Sequence, residues 1–512
     1  MQVRDIPLPP RIGERPKMRR SFTIALAIPF LLAGLCTAQV TANTFEGIDA
    51  SQIKSAGLGI DPNGAIGTKQ YMEWADVAFQ GFDKTTGAWV YSAGPMPGDT
   101  PWRSNNMPDC YGPSGNVQLN FDHLASRWVI GRRQSGSGAY FYCIAVSNTD
   151  DLTASGFKWY TYELPLASIL GSNSRGHLFY PDYPKIGTWL DGYYVTIDLE
   201  DVDNGFAEVG TVVCAFDRAT MLTGGTMRKP QCFRYPNPPN GIFRAHSLEP
   251  ADIEGKIAPP AGAAEYFVSL QNPAQGQSTA KNLNEWIFHV DWATPANSTF
   301  TGPISVGVNT YTQGCFNINN VTNTVCVPEP STATTHLYID SVGDRMMQRL
   351  TYRRFTGANA YQSWLVSTTV QVGSIPLSQT GIRFYELRSN GTSNTGTITY
   401  NDPNYRFMPS IAQDKVGNLA VGYSVSGTAM HPSIAASYLN LQKRTLPTEL
   451  ALWSGIADEE NSFQWGVYSS MTVDPVDDCT FWYVNEYFDT NQVGSAVNWK
   501  TRIANFKLPN CQ

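Results

Sequence analysis

Beyond residue 38 this 512-residue chain has no apolar run long enough to cross a bilayer as a helix. It has no basic cluster there either, and its formal net charge is -7, which removes the electrostatic footprint of a nucleic-acid partner. Helical periodicity is missing as well: the best candidate, Leu164 to Gly171, is short and sits beside a proline. The chain contains no phosphate-cradling loop, dinucleotide fingerprint, His-Glu-x-x-His or Gly-x-Ser-x-Gly. Nucleotide, zinc-protease and nucleophile-elbow serine chemistry are thereby excluded. Cys-x-x-Cys is also absent, which argues against a structural zinc site.

What is present begins with an address. Arg19 and Arg20 precede the apolar run Ile24 to Leu35, and Cys36-Thr-Ala38 places small residues where a signal peptidase would cut. Residues 1–38 therefore read as a signal peptide, with Met18 as an alternative start. Removing Cys36 leaves eight cysteines, an even set that predicts disulfides in an oxidising compartment. Sequential pairing keeps each bridge local: Cys110 with Cys143, Cys214 with Cys232, Cys315 with Cys326, and Cys479 with Cys511. The mature protein reads as secreted or periplasmic.

A strand–turn–strand unit then recurs. Clear copies are Val117 to Ile130, Pro184 to Thr196, Pro409 to Tyr423 and Ser470 to Tyr483, each turning on Asp or Gly between apolar and aromatic strands. The turn markers Asp122, Asp191, Glu254, Thr356, Asp414 and Asp474 follow one another at intervals of about 60 residues, apart from a longer gap between Glu254 and Thr356. Such spacing predicts an all-β propeller of four-stranded antiparallel blades, six in number with seven as the alternative. The long gap is assigned to an insertion around 272–335. Residues 39–75 are expected as a poorly ordered lead-in, and Val77 to Val90 as outer strands that complete the last blade of a single domain spanning 76–512. A hydrophobic content of 42% with 12% aromatics suffices for a core of that size.

The motifs Gly381-Ile-Arg-Phe-Tyr-Glu-Leu-Arg388, Tyr405-Arg-Phe-Met-Pro-Ser-Ile-Ala-Gln-Asp414, Trp465-Gly-Val-Tyr-Ser-Ser-Met-Thr-Val-Asp-Pro475 and Trp499-Lys-Thr-Arg-Ile-Ala-Asn-Phe506 carry a resemblance. In them the chain resembles the secreted bacterial propeller proteins related to the sialidase or BNR-repeat superfamily. The superfamily's Asp-box persists only loosely, as Ser147 to Trp159. The resemblance implies an axial site and a tyrosine nucleophile beside a carboxylate, for which Tyr183 and Tyr468 are the candidates.

In a propeller the loops leading into the innermost strands ring one end of the axis. Here those loops carry Tyr180, Asp182, Tyr183, His246, Arg345, Tyr405, Arg406, Trp465 and Tyr468, and the loops between second and third strands add Glu486. Charged groups of both signs beside aromatics suit a sugar. Asp182 and Glu486 are the candidate acid and base of a glycosidic cleavage, with His246 as a further acid–base candidate. Arg345 and Arg406 suit a substrate carboxylate, and Tyr180, Tyr405 and Trp465 suit sugar faces. Each also has a structural reading: Asp182 and Arg406 as bridges between blades, Trp465 and Tyr468 as packing, His246 as a satisfied histidine. The run Asp198-Leu-Glu-Asp201-Val-Asp203 is a weak calcium candidate, with a solvated acidic loop as the alternative.

Two functions follow. One is a carbohydrate-active enzyme, a glycoside hydrolase or polysaccharide lyase acting on an extracellular glycan, acidic glycans included, with no cofactor required. The other is a non-catalytic propeller that binds glycan or protein at the cell surface.

Overall fold

The computed structural model describes residues 40–53, 60–136, 139–237, 245–271, 279–315, 325–331, 338–357, 360–373, 379–440, 447–459, 462–490 and 498–512. The expected signal peptide lies outside them. Strands dominate the described residues, and the only α-helices there are single turns, among them Ala167–Leu170 within the expected helical candidate.

The strands form antiparallel meanders of four. In chain order, the first meander runs Asn63–Ile66, Gln70–Ala75, Ala78–Asp83 and Met96–Pro97, and the second Gln118–Asp122, Arg127–Gly136, Ala139–Ser147 and Trp159–Pro165. The third is Tyr180–Thr188, Gly192–Asp201, Ala207–Asp217 and Gln231–Pro236, and the fourth Glu249–Ile253, Glu265–Leu270, Thr279–His289 and Thr299–Thr312. The fifth is Met347–Phe355, Tyr361–Val372, Gln379–Arg388 and Ser393–Ile398, and the sixth Tyr405–Gln413, Asn418–Gly427, Met430–Asn440 and Thr448–Trp453. The last combines Ser470–Val473, Thr480–Phe488 and Trp499–Lys507 with the N-terminal strand Ala42–Asp49. A short separate pair, Val325–Val327 with Ile339–Asp340, precedes the fifth.

Local chemistry makes the turns. Asp122 accepts from the amides of Leu124 and Ala125 at 3.1 and 2.9 Å, and Asp414 from those of Val416 and Asn418 at 3.0 and 2.9 Å. These carboxylates supply the acceptors that a tight turn leaves wanting. The second strands are buried on both faces: in Gly192–Asp201 the first eight residues are buried, which is why they read as a largely apolar run.

Polar side chains sew each inner strand to the next. Asn63 accepts the Leu119 amide at 2.8 Å, Asn120 donates to the Ile186 carbonyl at 3.0 Å, and Asp252 accepts the Thr188 amide at 3.0 Å. The fourth and fifth inner strands pair in parallel, Ala251 beside Leu350. Thr351 donates to the Ile411 carbonyl at 3.0 Å, Ser410 accepts the Met471 amide at 2.9 Å, and Ser470 accepts the Gly64 amide at 2.8 Å. The chain of contacts thus returns to the strand where it began.

Three sequence expectations change. Within the expected poorly ordered lead-in 39–75, Ala42–Asp49 pairs with Trp499–Lys507 and is the outer strand that closes the last sheet. Val77 to Val90 instead belongs to the first meander, whose hairpin turns on Asp76 and Val77, Asp76 having a φ of 53°. Within the expected insertion around 272–335, the described segments Thr279–His289 and Thr299–Thr312 are regular strands that complete the fourth meander. All four disulfides join the expected pairs.

Candidate functional site at the mouth of the inner strands

Six non-glycine residues adopt left-handed backbone just before inner strands or near their start, Asp61, Asn116, Ser247 and Tyr468 before the strand and Tyr183 and Met408 inside it, with φ between 42° and 75°. Each such residue is unfavourable in isolation, and a ring of them marks a place where the surrounding structure holds strained backbone. The bends turn side chains into the mouth of the circuit. Asn116 ties two of them together, its amide donating to Asp61 at 3.0 Å and its side chain to Asp182 at 2.8 Å.

The third meander supplies a charged face. Strand alternation puts Asp182 opposite Asp198, Tyr180 opposite Glu200, and Glu200 opposite Glu208. Across from them, the loops leading into the fourth and fifth inner strands bring His246, Asp344 and Arg345. His246 Nδ1 lies 2.8 Å from Glu208 and 3.3 Å from Asp198, and its Nε2 is 3.7 Å from Asp344. Arg345 closes a two-pronged pair with Asp344, Nε to Oδ1 at 2.9 Å and Nη2 to Oδ2 at 3.1 Å, and lies 5.0 Å over the Tyr183 ring. Arg244, in the same loop as His246, lies outside the described residues. Beneath, Lys185 pairs with Glu249 at 3.1 Å and is enclosed by the rings of Tyr183 and Tyr468, both side chains of the pair being no more than 2% exposed.

The carboxyl groups of this cluster part in ionisation. Burial, reinforced by Asp182 and Glu208, pushes Glu200 up to about 7. Burial likewise pushes Asp61 up to about 7, and it raises Asp182 against the opposing charge of Arg133. Glu208 goes the other way: burial would raise it, but His246 and Arg345 outweigh burial and hold it below its ordinary value. For His246 burial is outweighed by Glu208, with Asp198 and Asp344 adding to the effect, so the imidazole stays protonated well above 6.5. A protonatable carboxyl thus stands across the strands from an ionised one, which is what acid-assisted cleavage of an acetal needs.

Of the residues singled out in the sequence, the structure brings together Tyr180, Asp182, Tyr183, Asp198, His246, Arg345 and Tyr468. Glu486 lies deeper, 1% exposed, accepting the Gly466 amide, and burial pushes it well above the carboxylate range. Burial also drives the phenols of Tyr183 and Tyr468 well above 10, the wrong direction for a tyrosinate nucleophile.

Arg406, Trp465 and Tyr405 are elsewhere. Arg406, 1% exposed, is gripped by Asp402 at 2.8 and 3.1 Å and by Glu449 at 2.8 and 2.9 Å, and so has no fork left for a substrate. Trp465 donates to Ser424 at 3.2 Å and packs 5.1 Å from Phe488 in a hydrophobic cluster against which Tyr405 also lies. The acidic run divides by alternation: Asp198 faces the mouth, while Asp201 and Asp203 bind Asn173 at 2.8 and 2.6 Å on the outside. No cluster of His, Cys, Asp or Glu able to hold a metal occurs among the described residues.

The residues that sequence reasoning passed over are Asp61, Glu200, Glu208 and Asp344. Two had a signal. Asp198-Leu-Glu200 has the i, i+2 spacing that shares one strand face, and Asp344 adjoins Arg345.

No family model and no curated protein matches the chain. Among solved structures, an α-L-arabinanase of Penicillium chrysogenum complexed with arabinobiose is 7% identical with a TM-score of 0.37, covering 92% of this chain and all of its own. An α-L-arabinofuranosidase of Fusarium graminearum is 9% identical with a TM-score of 0.34, covering 90% and 97%. A Trypanosoma rangeli sialidase is 9% identical with a TM-score of 0.35, covering 91% of this chain and 59% of that one. Likeness at this level carries no argument about chemistry, which rests on the site itself.

Proposed function

We propose that the seven meanders are the blades of a single propeller and that its mouth cleaves glycosidic bonds in an extracellular glycan. The observation that carries this reading is the cross-strand pair Glu200 and Glu208, one carboxyl held protonated to about pH 7 and the other held ionised. Glu200 acts as the general acid that protonates the leaving oxygen, with Asp182 beside it. Glu208 stabilises or attacks the positively charged sugar, or activates water, according to the separation the two carboxyl groups take with substrate bound. His246 and Arg345 keep Glu208 ionised, and Asp344 holds Arg345 in place. Four disulfides fit an oxidising, extracellular or periplasmic compartment, and a signal peptide over residues 1–38 would deliver the chain there.

The runner-up, a non-catalytic glycan-binding propeller, draws support from the burial of Tyr183, Tyr468 and Glu486, which removes three of the groups expected to do chemistry. Reducing-end release from a panel of polysaccharides, assayed with the wild-type protein and Glu200→Gln, separates the two. The enzyme reading expects release from at least one polymer and its loss in the variant. Retention of glycan without release favours the binding module.

A further inference from the structure

Arg345, His246 and Lys185 each pair with a carboxylate, whereas Arg133 pairs with none among the described residues. Its neighbour Arg132 donates to the carbonyls of Cys110 and Gly112, and strand alternation turns Arg133 the other way, over the third meander. There it lies 4.7 Å over the Tyr180 ring and stays partly accessible, with Nε and Nη1 enclosed and meeting no acceptor, which leaves Nη2 as the accessible nitrogen. Asp182 is near enough to feel its charge without closing an ion pair. Guanidinium N–H groups without acceptors are costly, and a ligand anion supplies what is missing. Two more rings meet Tyr180 edge-on, Tyr140 at 5.8 Å and Phe206 at 5.7 Å. Phe206 is 54% exposed on left-handed backbone with a φ of 59°, a placement that neither burial nor backbone preference favours. Glu200 stands directly across the strands from Tyr180.

We propose that Arg133 and Phe206 form a subsite beside Glu200 that takes a uronic acid residue of the glycan, its carboxylate on the guanidinium and its ring against Phe206. This deepens the glycan reading above and rests on it. In a uronate the carboxylate is one bond from the ring, and the cation and the exposed phenyl ring both adjoin Tyr180, so one pyranose spans the two. Tyr180 holds the guanidinium in place through its ring face, with Tyr140 packed edge-on behind it.

Calorimetric titration of the full-length protein at pH 7 with tetragalacturonate, tetramannuronate and a hyaluronan tetrasaccharide, each set against its own methyl ester, tests the proposal. Esterification removes the charge and keeps the sugar rings. At least one acid is expected to bind about tenfold or more tightly than its ester, and roughly 0.5 M salt should narrow that gap by screening. Arg133→Gln should weaken that acid about tenfold and leave its ester unchanged, and Arg133→Lys should recover part of the loss by restoring charge without the fork. Phe206→Ala should weaken acid and ester alike. Equal binding of acid and ester, a loss in Arg133→Gln shared by both, no loss in Phe206→Ala, or no binding by any of the six would overturn the subsite, with reducing-end release still judging cleavage on its own. A uronate bound through Arg133 with no release from any polymer would leave the subsite standing and overturn cleavage. The gap between acid and ester and its salt dependence need no variant and decide the matter if Arg133→Gln fails to fold.

Discussion

Charge is buried at both ends of the inner strands, and it is arranged in opposite ways. Toward their ends, Arg349 joins three strands: it grips Asp252 at 2.5 and 2.8 Å, reaches Glu254 at 3.4 Å, and donates to the Met471 carbonyl at 3.1 Å. Glu254 in turn accepts the Val473 amide at 2.7 Å, and Arg353 pairs with Asp478 at 2.8 Å. There each charge meets its opposite in a closed network that staples the fourth, fifth and last meanders across the axis. Among the described residues of the mouth carboxyl groups outnumber cations, several stay partly accessible, and the backbone beneath them is strained. A matched network serves the fold. A mismatched one, held in place by the fold, is where a ligand completes the arrangement.

The largest effect should follow from breaking the matched end. Arg349→Met leaves Asp252 and Glu254 buried without their partner and should cost about 3–5 kcal/mol, read as a lower urea midpoint. At the mouth, Glu200→Gln should lower the turnover rate by roughly 10²- to 10⁴-fold while leaving the urea midpoint nearly unchanged; a large loss of stability would mean that the two ends do not differ as described. Replacing Cys110 and Cys143 by serine opens a bridge spanning 33 residues. The expected cost is about 2–4 kcal/mol, with no change in ligand selectivity.

The smallest effect is on pH. Glu73 is pushed up by burial to about 8, and Asp61 and Glu200 to about 7. In each case the native state keeps a proton that the unfolded chain loses near its ordinary carboxylate value. Stability therefore falls as pH rises from about 4 through 8, and His246, raised in the folded state, adds to the fall in the same direction. Urea midpoints should be higher at pH 5.5 than at pH 8.5, and Glu73→Gln should flatten the difference. A midpoint that rises with pH would contradict these assignments.

Much of this was written locally in the sequence. Asp122 and Asp414 announce their turns because an aspartate cap needs only its next few residues, and the cysteines pair in order because each bridge stays within one neighbourhood. The loops that converge on the mouth were legible from strand order alone. Arg406 was not, because its direction is decided by Glu449, 43 residues away on an outer strand. The first meander escaped notice because its hairpin turns on Asp76 and Val77 without a glycine, and because the strand that precedes it, Ala42–Asp49, belongs to the last sheet and pairs with the far end of the chain. Glu200 was read only as part of an acidic run, a weak calcium candidate or a solvated loop, although its alternation with Asp198 already placed both on one strand face.

The most direct test of the account is a crystal structure of Glu200→Gln with a bound oligosaccharide from the responsive polymer. The account expects the sugar at the mouth, with a glycosidic oxygen within hydrogen-bonding distance of residue 200 and the ring near Asp182 and Glu208. A sugar bound on an outer strand such as Thr299–Thr312, with the mouth empty, would contradict it.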